Sequence, residues 1–371
     1  MLAAFAFLAA PLPAHAAADA ILSPPPALSP AARAEYARFL ADNLPRAFAL
    51  APDGRAARGT GSTPAQARDA ALAACAHAAP AAPPRAGTPT PRDTSPPAPC
   101  ALWADGLSVV APGHESAPAT PPATLRDTWN YALAPDPRFL WHGPAEAAGV
   151  VLWAHGRTSG QDSRGLQPPP LLRPFNAAGF DVVRLDREPA ADDRDRAAGW
   201  MRDSLALLRR LGYRRIVAAG QSRGAWNALQ TLDTPGLADA VVALSPAAQG
   251  SAAGANLGSQ DDELRRLVRA AAPSTTRLAV AQFADDPFAA DEDSRARRLA
   301  ALRPTLGAVL LIDRPPGLHG HGAGLDPEFA ARFGACLLRF TIAPDPPAAC
   351  PQEASMGSAQ TRKGSEDPLI P

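Results

Sequence analysis

Residues 215–232 read RIVAAGQSRGAWNALQTL. A short apolar run, Ile216–Ala219, leads without a gap into Gly220-Gln221-Ser222-Arg223-Gly224. A helical pattern, Ala225–Leu232, leads out. A buried strand, a tight turn and a helix in this order turn a G-x-S-x-G pentapeptide into a nucleophile elbow. Side chains at 220 and 224 would collide with the neighbouring strand and helix, so glycine is required at both. Ser222 is then expected to project above the C-terminal edge of a sheet, over a helix N-terminus that favours developing negative charge.

Working outward, five further apolar runs have the length of buried strands. They are Gly149–Ala154, Phe180–Leu185, Ala240–Leu244, Leu278–Phe283 and Ala308–Ile312. Helical patterns lie between them. In 195–211, Ala198, Met201, Leu205, Leu208 and Leu211 recur at three and four, and Gly212 follows as a C-cap. The last helix opens at Asp326-Pro327 and carries Phe329, Phe333, Leu337 and Phe340 on one stripe. Strand–helix alternation of this kind predicts a mostly parallel sheet flanked by helices, an α/β fold.

A serine hydroxyl is a poor nucleophile until a base takes its proton. The base is expected after the last strand, where Gly317-Leu318-His319-Gly320-His321-Gly322 stands. His321, nearer the final helix, is the first choice and His319 the alternate. The orienting acid is expected at the end of the preceding strand, in Ala284-Asp285-Asp286-Pro287-Phe288. An aspartate there would hold the imidazole tautomer and stabilise the imidazolium. Asp286 is preferred and Asp285 is the alternate. The backbone N–H of Arg223 is one expected oxyanion donor. The N–H of Arg157, after Trp153-Ala154-His155-Gly156, is the other, and losing one such donor costs about 10²–10³ in rate. The H-x-H has no further ligands at suitable spacing, so no metal is expected. No phosphate-cradling glycine loop is present either, and no cofactor is expected.

With WAHG, GQSRG, FADDPF and GLHGHG in this order, residues 125–345 resemble an α/β-hydrolase over about 60% of the chain. Within that superfamily they most resemble the compact dienelactone-hydrolase-like group, whose namesake uses a cysteine where this chain has Ser222. The resemblance implies the α/β-hydrolase fold and acyl-transfer machinery. Together with the residues above, it leads to a serine hydrolase acting on an ester, thioester or amide of a small-molecule or acylated substrate. A non-catalytic binding protein and an acyltransferase with the same triad are the alternatives. Residues 246–276 are expected to form a lid or substrate wall.

The remainder of the 371 residues is organised differently. Residues 2–12 are apolar and short, and Ala14-His15-Ala16 is a small-x-small cleavage site, so 1–16 reads as a signal peptide. Residues 17–30 read as a linker and 31–112 as a small α+β module. Its first helix starts near Pro30 and runs through to Leu44. A strand, Arg46–Leu50, comes next, then a helix capped by Thr63 and running to about Ala78. A hairpin turns at Asp105-Gly106. Cys75, Cys100, Cys336 and Cys350 form an even set in an exported chain, and neighbour pairing is the simplest of three connectivities. Closing the first loop would contribute roughly 3 kcal/mol. Location in the bacterial periplasm or the medium is therefore expected. Residues 351–371 read as a disordered tail.

Composition narrows the partners. Hydrophobic residues make up 46% and charged residues 19%, enough to bury a core. Lys+Arg 36 balances Asp+Glu 36, so no basic excess exists to neutralise phosphates, and nucleic acid is not expected as a partner. Past the leader, no run approaches the length of a membrane span. The sequence carries no signal for oligomeric state.

Overall fold

The computed structural model describes residue 22 and residues 24–79, 98–157, 161–248, 257–289 and 291–351. The expected signal peptide lies outside the described residues. So do residues 80–97, 158–160 and 249–256 of the expected loops and lid, and 352–371 of the expected tail.

The chain first builds a four-stranded antiparallel sheet in the order β2-β1-β3-β4. Its strands are β1 (Arg46–Leu50), β2 (Ala56–Thr60), β3 (Ala101–Asp105) and β4 (Ser108–Val109). Alternation along β1 divides two small cores. Phe48 faces Tyr36 and Phe39 of α1 (Pro30–Ala41). Ala47 and Ala49 face Ala67, Ala71 and Cys75 of α2 (Pro64–His77). Thr63 caps α2, its hydroxyl accepting from Gln66 N at 3.2 Å, with proline in the first turn as its sequence foretells. Two expectations need correction here. The first helix stops at Ala41 rather than Leu44. Leu22 and Leu28, read as linker, are buried in the core beside α1.

The second sheet has eight strands in the order β12-β11-β10-β9-β7-β8-β6-β5. An antiparallel hairpin, β5 (Arg126–Asp127) and β6 (Tyr131–Pro135), sits on one edge. The other six strands run parallel. They are β7 (Gly149–Ala154), β8 (Phe180–Arg187), β9 (Ile216–Gln221), β10 (Ala240–Leu244), β11 (Arg277–Gln282) and β12 (Ala308–Asp313).

Neighbouring residues of one strand serve opposite cores. Val150 and Leu152 of β7 pack with Met201 and Leu205 of α4 (Arg194–Arg210) and Leu229 of α5 (Arg223–Gln230). Val151 and Trp153 pack with Phe175 of α3 (Arg173–Ala177) and with Phe329 and Phe333 of α8 (Pro327–Ile342). Each of these large side chains contributes roughly 1.5–3 kcal/mol by leaving water. The remaining helices, α6 (Leu257–Ala270) and α7 (Glu292–Ala300), place Leu264, Leu267 and Leu299 against the α4–α5 face. The sheet is thus covered on both sides, as its near-continuous apolar strands require. This is an α/β fold, a mostly parallel sheet flanked by helices, preceded in the chain by a four-stranded antiparallel sheet. Leu211 is a correction: α4 ends at Arg210, and Leu211 is exposed rather than part of the buried stripe.

Cys75 is bonded to Cys100 and Cys336 to Cys350. The first joins α2 to the start of β3, and the second fastens the segment after α8 to that helix. Among the described residues, no helix is long and apolar enough to cross a membrane.

Candidate active site

β9 ends at Gln221, α5 begins at Arg223, and Ser222 alone makes the turn between them. Its backbone adopts φ 54° and ψ −118°, a region that costs a non-glycine residue about 1–3 kcal/mol. Three backbone hydrogen bonds hold it there. Ser222 N donates to Leu244 O at 3.0 Å, and Ser222 O accepts from Trp226 N at 2.9 Å and Ala247 N at 3.1 Å. The flanking glycines are forced by contact. A Cβ on Gly224 would stand 2.0 Å from the Ala154 carbonyl oxygen, and one on Gly220 would stand 2.4 Å from the Gly224 carbonyl carbon. α5 therefore runs against β7 and β9 at backbone distance.

The loops after β11 and β12 meet beside this turn. Gly320 N donates to Ala284 O at 2.8 Å, and Ala284 and His319 form a parallel bridge. Two His–Asp pairs result. His321 Nδ1 lies 2.9 and 3.0 Å from the two Asp286 carboxylate oxygens, and the Asp286 side chain is buried. His319 Nδ1 lies 3.1 Å from Asp285 Oδ2, but both side chains are open to solvent, at 58% and 81%. Asp286 Oδ1 also accepts from Phe288 N at 2.9 Å, and the Phe288 ring lies on the His321 ring with centroids 4.3 Å apart. With Nδ1–H donating to Asp286, His321 Nε2 carries the lone pair. That nitrogen is buried and has no hydrogen-bond partner.

Gln221 ties the base to the serine's strand, its Nε2 donating to the His321 carbonyl at 3.0 Å. The His321–Asp286 pair is formed. No hydrogen bond joins Ser222 Oγ to His321 Nε2 among the described residues. Such bonds commonly tighten only when substrate is bound.

The loop after β7 forms the opposite wall. A Cβ on Gly156 would stand 3.3 Å from Ser222 Cβ, so 155–157 passes directly beside the serine. Arg223 opens α5, where helical N–H groups lack intrahelical partners. Neither the Arg223 nor the Arg157 N–H has a backbone partner among the described residues. His155 braces this loop. Its Nδ1–H donates to Gly156 O at 2.6 Å, and its Nε2 accepts from Arg187 N at 3.5 Å. Burial, and then the Arg187 charge, push its pKa down to about 4. Arg187 is itself buried and lies 3.2 Å from Asp192.

Four residues near the site had no readable signal. Gln221 occupies a free position of the pentapeptide, and Phe288 follows the aspartates as an ordinary apolar residue. Arg295, on α7, is buried, donates to the Pro246 carbonyl, and has its pKa lowered by burial against the pull of Asp286 and Glu292. In the sequence it is one charge among many in DEDSRARR. Asn43 comes from the N-terminal sheet's connections, yet it lines a cavity of about 260 Å³ together with Gly156, Gln221 and Leu325. Beyond Phe288, between α5, α6 and α7, lies a second cavity of about 280 Å³ lined by Trp226, Leu264, Phe288 and Ser294.

No family model matches this chain, and no curated protein is similar to it. Among solved structures, a puromycin-hydrolysing peptidase of Mycobacterium tuberculosis is 17% identical over 57% of this chain and 37% of its own, with a TM-score of 0.39. An acylaminoacyl peptidase of Pyrococcus horikoshii is 14% identical over 57% of this chain and 38% of its own, with a TM-score of 0.40. Esterase 2 of Thermogutta terrifontis, phosphorylated by paraoxon, is 14% identical over 58% of this chain and 90% of its own, with a TM-score of 0.39. The chain spans less than two-fifths of the length of the two peptidases.

Proposed function

We propose that this chain is a serine hydrolase that cleaves an ester, thioester or amide through an acyl-enzyme on Ser222. The observation that carries the reading is the pairing of a strained serine at a strand–helix turn with a buried His–Asp pair whose Nε2 is unpaired. His321 Nε2 accepts the Ser222 proton as Oγ bonds to the substrate carbonyl carbon. The carbonyl π electrons move to oxygen, which the Arg223 and Arg157 N–H groups receive. The C–O, C–S or C–N bond then breaks, and the imidazolium gives its proton to the leaving group. Water, deprotonated by His321, attacks the acyl-enzyme, releases the acid and restores Ser222. Asp286 stays ionised throughout and holds the Nδ1–H.

Two disulfides belong to an oxidising compartment, so the same reading places the working enzyme in the periplasm or outside the cell. The test is labelling with a fluorophosphonate probe, followed by peptide mass spectrometry and hydrolysis of p-nitrophenyl acetate and butyrate. The adduct is expected on Ser222, with turnover of at least one ester and loss of both in Ser222→Ala. A chain that neither takes the probe nor turns over esters or a peptide panel is a binding protein on a hydrolase fold. If alcohols added as acceptors capture the acyl group in preference to water, the enzyme is an acyltransferase.

A further inference from the structure

Two cavities flank the Ser222 turn on opposite faces of the larger sheet. The one of about 280 Å³ is walled by Trp226 and Leu264, which belong to the α4–α5 face. The one beside Asn43, of about 260 Å³, is walled by Trp153, which packs on the α3–α8 face, and by Leu166, Pro169 and Leu325. Leu166 and Leu325 are open to solvent, at 59% and 39%, and give this cavity an apolar rim. A substrate carbonyl carbon on Ser222 carries two arms, and one cavity stands on each side to take them. The cavity beside Asn43 adjoins the turn that carries the base. Leu325 comes four residues after His321, and Gln221, another of its walls, holds the His321 carbonyl. Towards the other cavity, the Phe288 ring covers the imidazole. The leaving atom takes its proton from that imidazole, so the leaving arm runs along the His321 turn.

Two polar groups interrupt the apolar lining. Asn43 reaches it from the loop between α1 and β1. Arg173 Nε can only donate, so the Asn43 oxygen faces it, accepting at 3.2 Å, and the amide nitrogen is turned away from it. Arg173 is 2% exposed, so the amide is oriented from a fixed point. Asn43 Nδ2 makes no hydrogen bond among the described residues and is not shut off from solvent. Ser163 lines the same cavity, is 8% exposed, and has its Oγ unengaged in the same way. An apolar cavity with a few oriented polar groups is the usual form of a substrate site. We infer that this cavity takes the alcohol arm of an ester substrate, and that Asn43 Nδ2 donates to a carbonyl or ether oxygen on that arm. Asn43 is then a specificity-determining residue supplied by the N-terminal sheet's connections, and Arg173 positions it. At roughly 30 Å³ per water molecule the space equals about nine waters, which suits a ring with one short substituent. The inference rests on the hydrolase reading and adds the substrate class, esters of alcohols whose apolar body carries a hydrogen-bond acceptor.

The experiment compares butyrate esters that differ only in the alcohol: ethyl, meta- and para-acetylbenzyl, and the two isopropylbenzyl counterparts. Released alcohol is measured by chromatography. Acetyl and isopropyl are close in shape, and the benzylic methylene keeps the leaving oxygen alike. In wild type, kcat/KM for the better acetylbenzyl ester is expected to exceed that of its isopropyl counterpart by about fivefold. Asn43→Asp keeps an oxygen for Arg173 Nε and replaces the unengaged N–H by an acceptor. It is expected to bring that ratio to one or below, with the melting temperature not lowered. The ratio is taken within one variant, so a general loss of rate cancels. Leu166→Trp fills the cavity from its exposed rim and is the second variant. It is expected to lower kcat/KM for every benzylic ester, relative to ethyl butyrate, by about tenfold. The inference is overturned by a wild-type ratio of one, by a ratio that Asn43→Asp leaves unchanged, or by undiminished relative rates in Leu166→Trp. If no ester is turned over and no probe adduct forms on Ser222, the hydrolase reading itself falls and takes this inference with it.

Discussion

Two histidines stand two residues apart, each on its own aspartate, and only their surroundings separate them. His321 is braced by buried Asp286, covered by Phe288 and anchored through its carbonyl to Gln221. His319 and Asp285 face water, where a His–Asp pair contributes little. His321→Ala is therefore expected to lower kcat on p-nitrophenyl butyrate by about 10³-fold or more, and His319→Ala by no more than about twofold. Equal losses would show that the exposed pair takes part in the chemistry. The sequence narrows the base to these two residues, because a base must follow the last strand. It ranks them only by distance from the final helix. Burial and the Gln221 anchor distinguish them physically, and both depend on residues about 35 to 100 positions away. The same holds for Arg295 and Asn43, whose neighbours in sequence say nothing of their neighbours in space.

At the scale of elements, the six parallel strands are legible because both faces of each are buried, which demands unbroken apolar runs. β5 and β6 are not: β5 is two exposed or half-exposed charged residues, Arg126-Asp127, at the sheet's edge, and β6, though largely buried, ends at Pro135, a residue that argues against a strand inside a sheet. β2, AARGT, has an arginine among small residues and carries no apolar strand run of its own; it is buried on one face by α2. Of the expected lid, Leu257–Ala270 forms α6, which together with α7 lines a cavity of about 280 Å³ beyond the Phe288 ring. If the acyl group enters there, bulk placed on α7 should discriminate by chain length. Ser294 lines that cavity and is half-buried, so Ser294→Phe fills space without opening the core. The expected result is a fall of about tenfold or more in kcat/KM for p-nitrophenyl octanoate, with the acetate within about twofold. A uniform loss on both esters, or none, places the acyl group elsewhere, with the cavity beside Asn43 as the next position to fill.

The whole molecule's stability carries a pH dependence that runs through the loop beside Ser222. His155 is neutral in the folded chain, with its pKa lowered to about 4 by burial and then by Arg187, against an ordinary value near 6.5. Protonation would place an N–H on Nε2 opposite the Arg187 N–H it now accepts from. The unfolded chain takes up this proton as pH falls through about 6.5, whereas the folded chain resists until about 4. The unfolded state thus binds more protons across that window, and stability falls with pH there, by about 3 kcal/mol in all. Other groups act at the same time. His142 is depressed by burial and adds to the loss, while buried Asp181 is raised by burial and opposes it. Total stability is therefore an ambiguous readout, and the difference between two chains is the clean one. Gln at 155 can donate to the Gly156 carbonyl and accept from Arg187 N–H but cannot titrate. Urea unfolding of wild type and His155→Gln at steps from pH 7 to pH 4 should show the stability of wild type relative to the variant falling by about 3 kcal/mol as pH falls. Parallel curves would mean that His155 charges freely in the folded chain. It would then not be the neutral brace that holds 155–157 beside the serine.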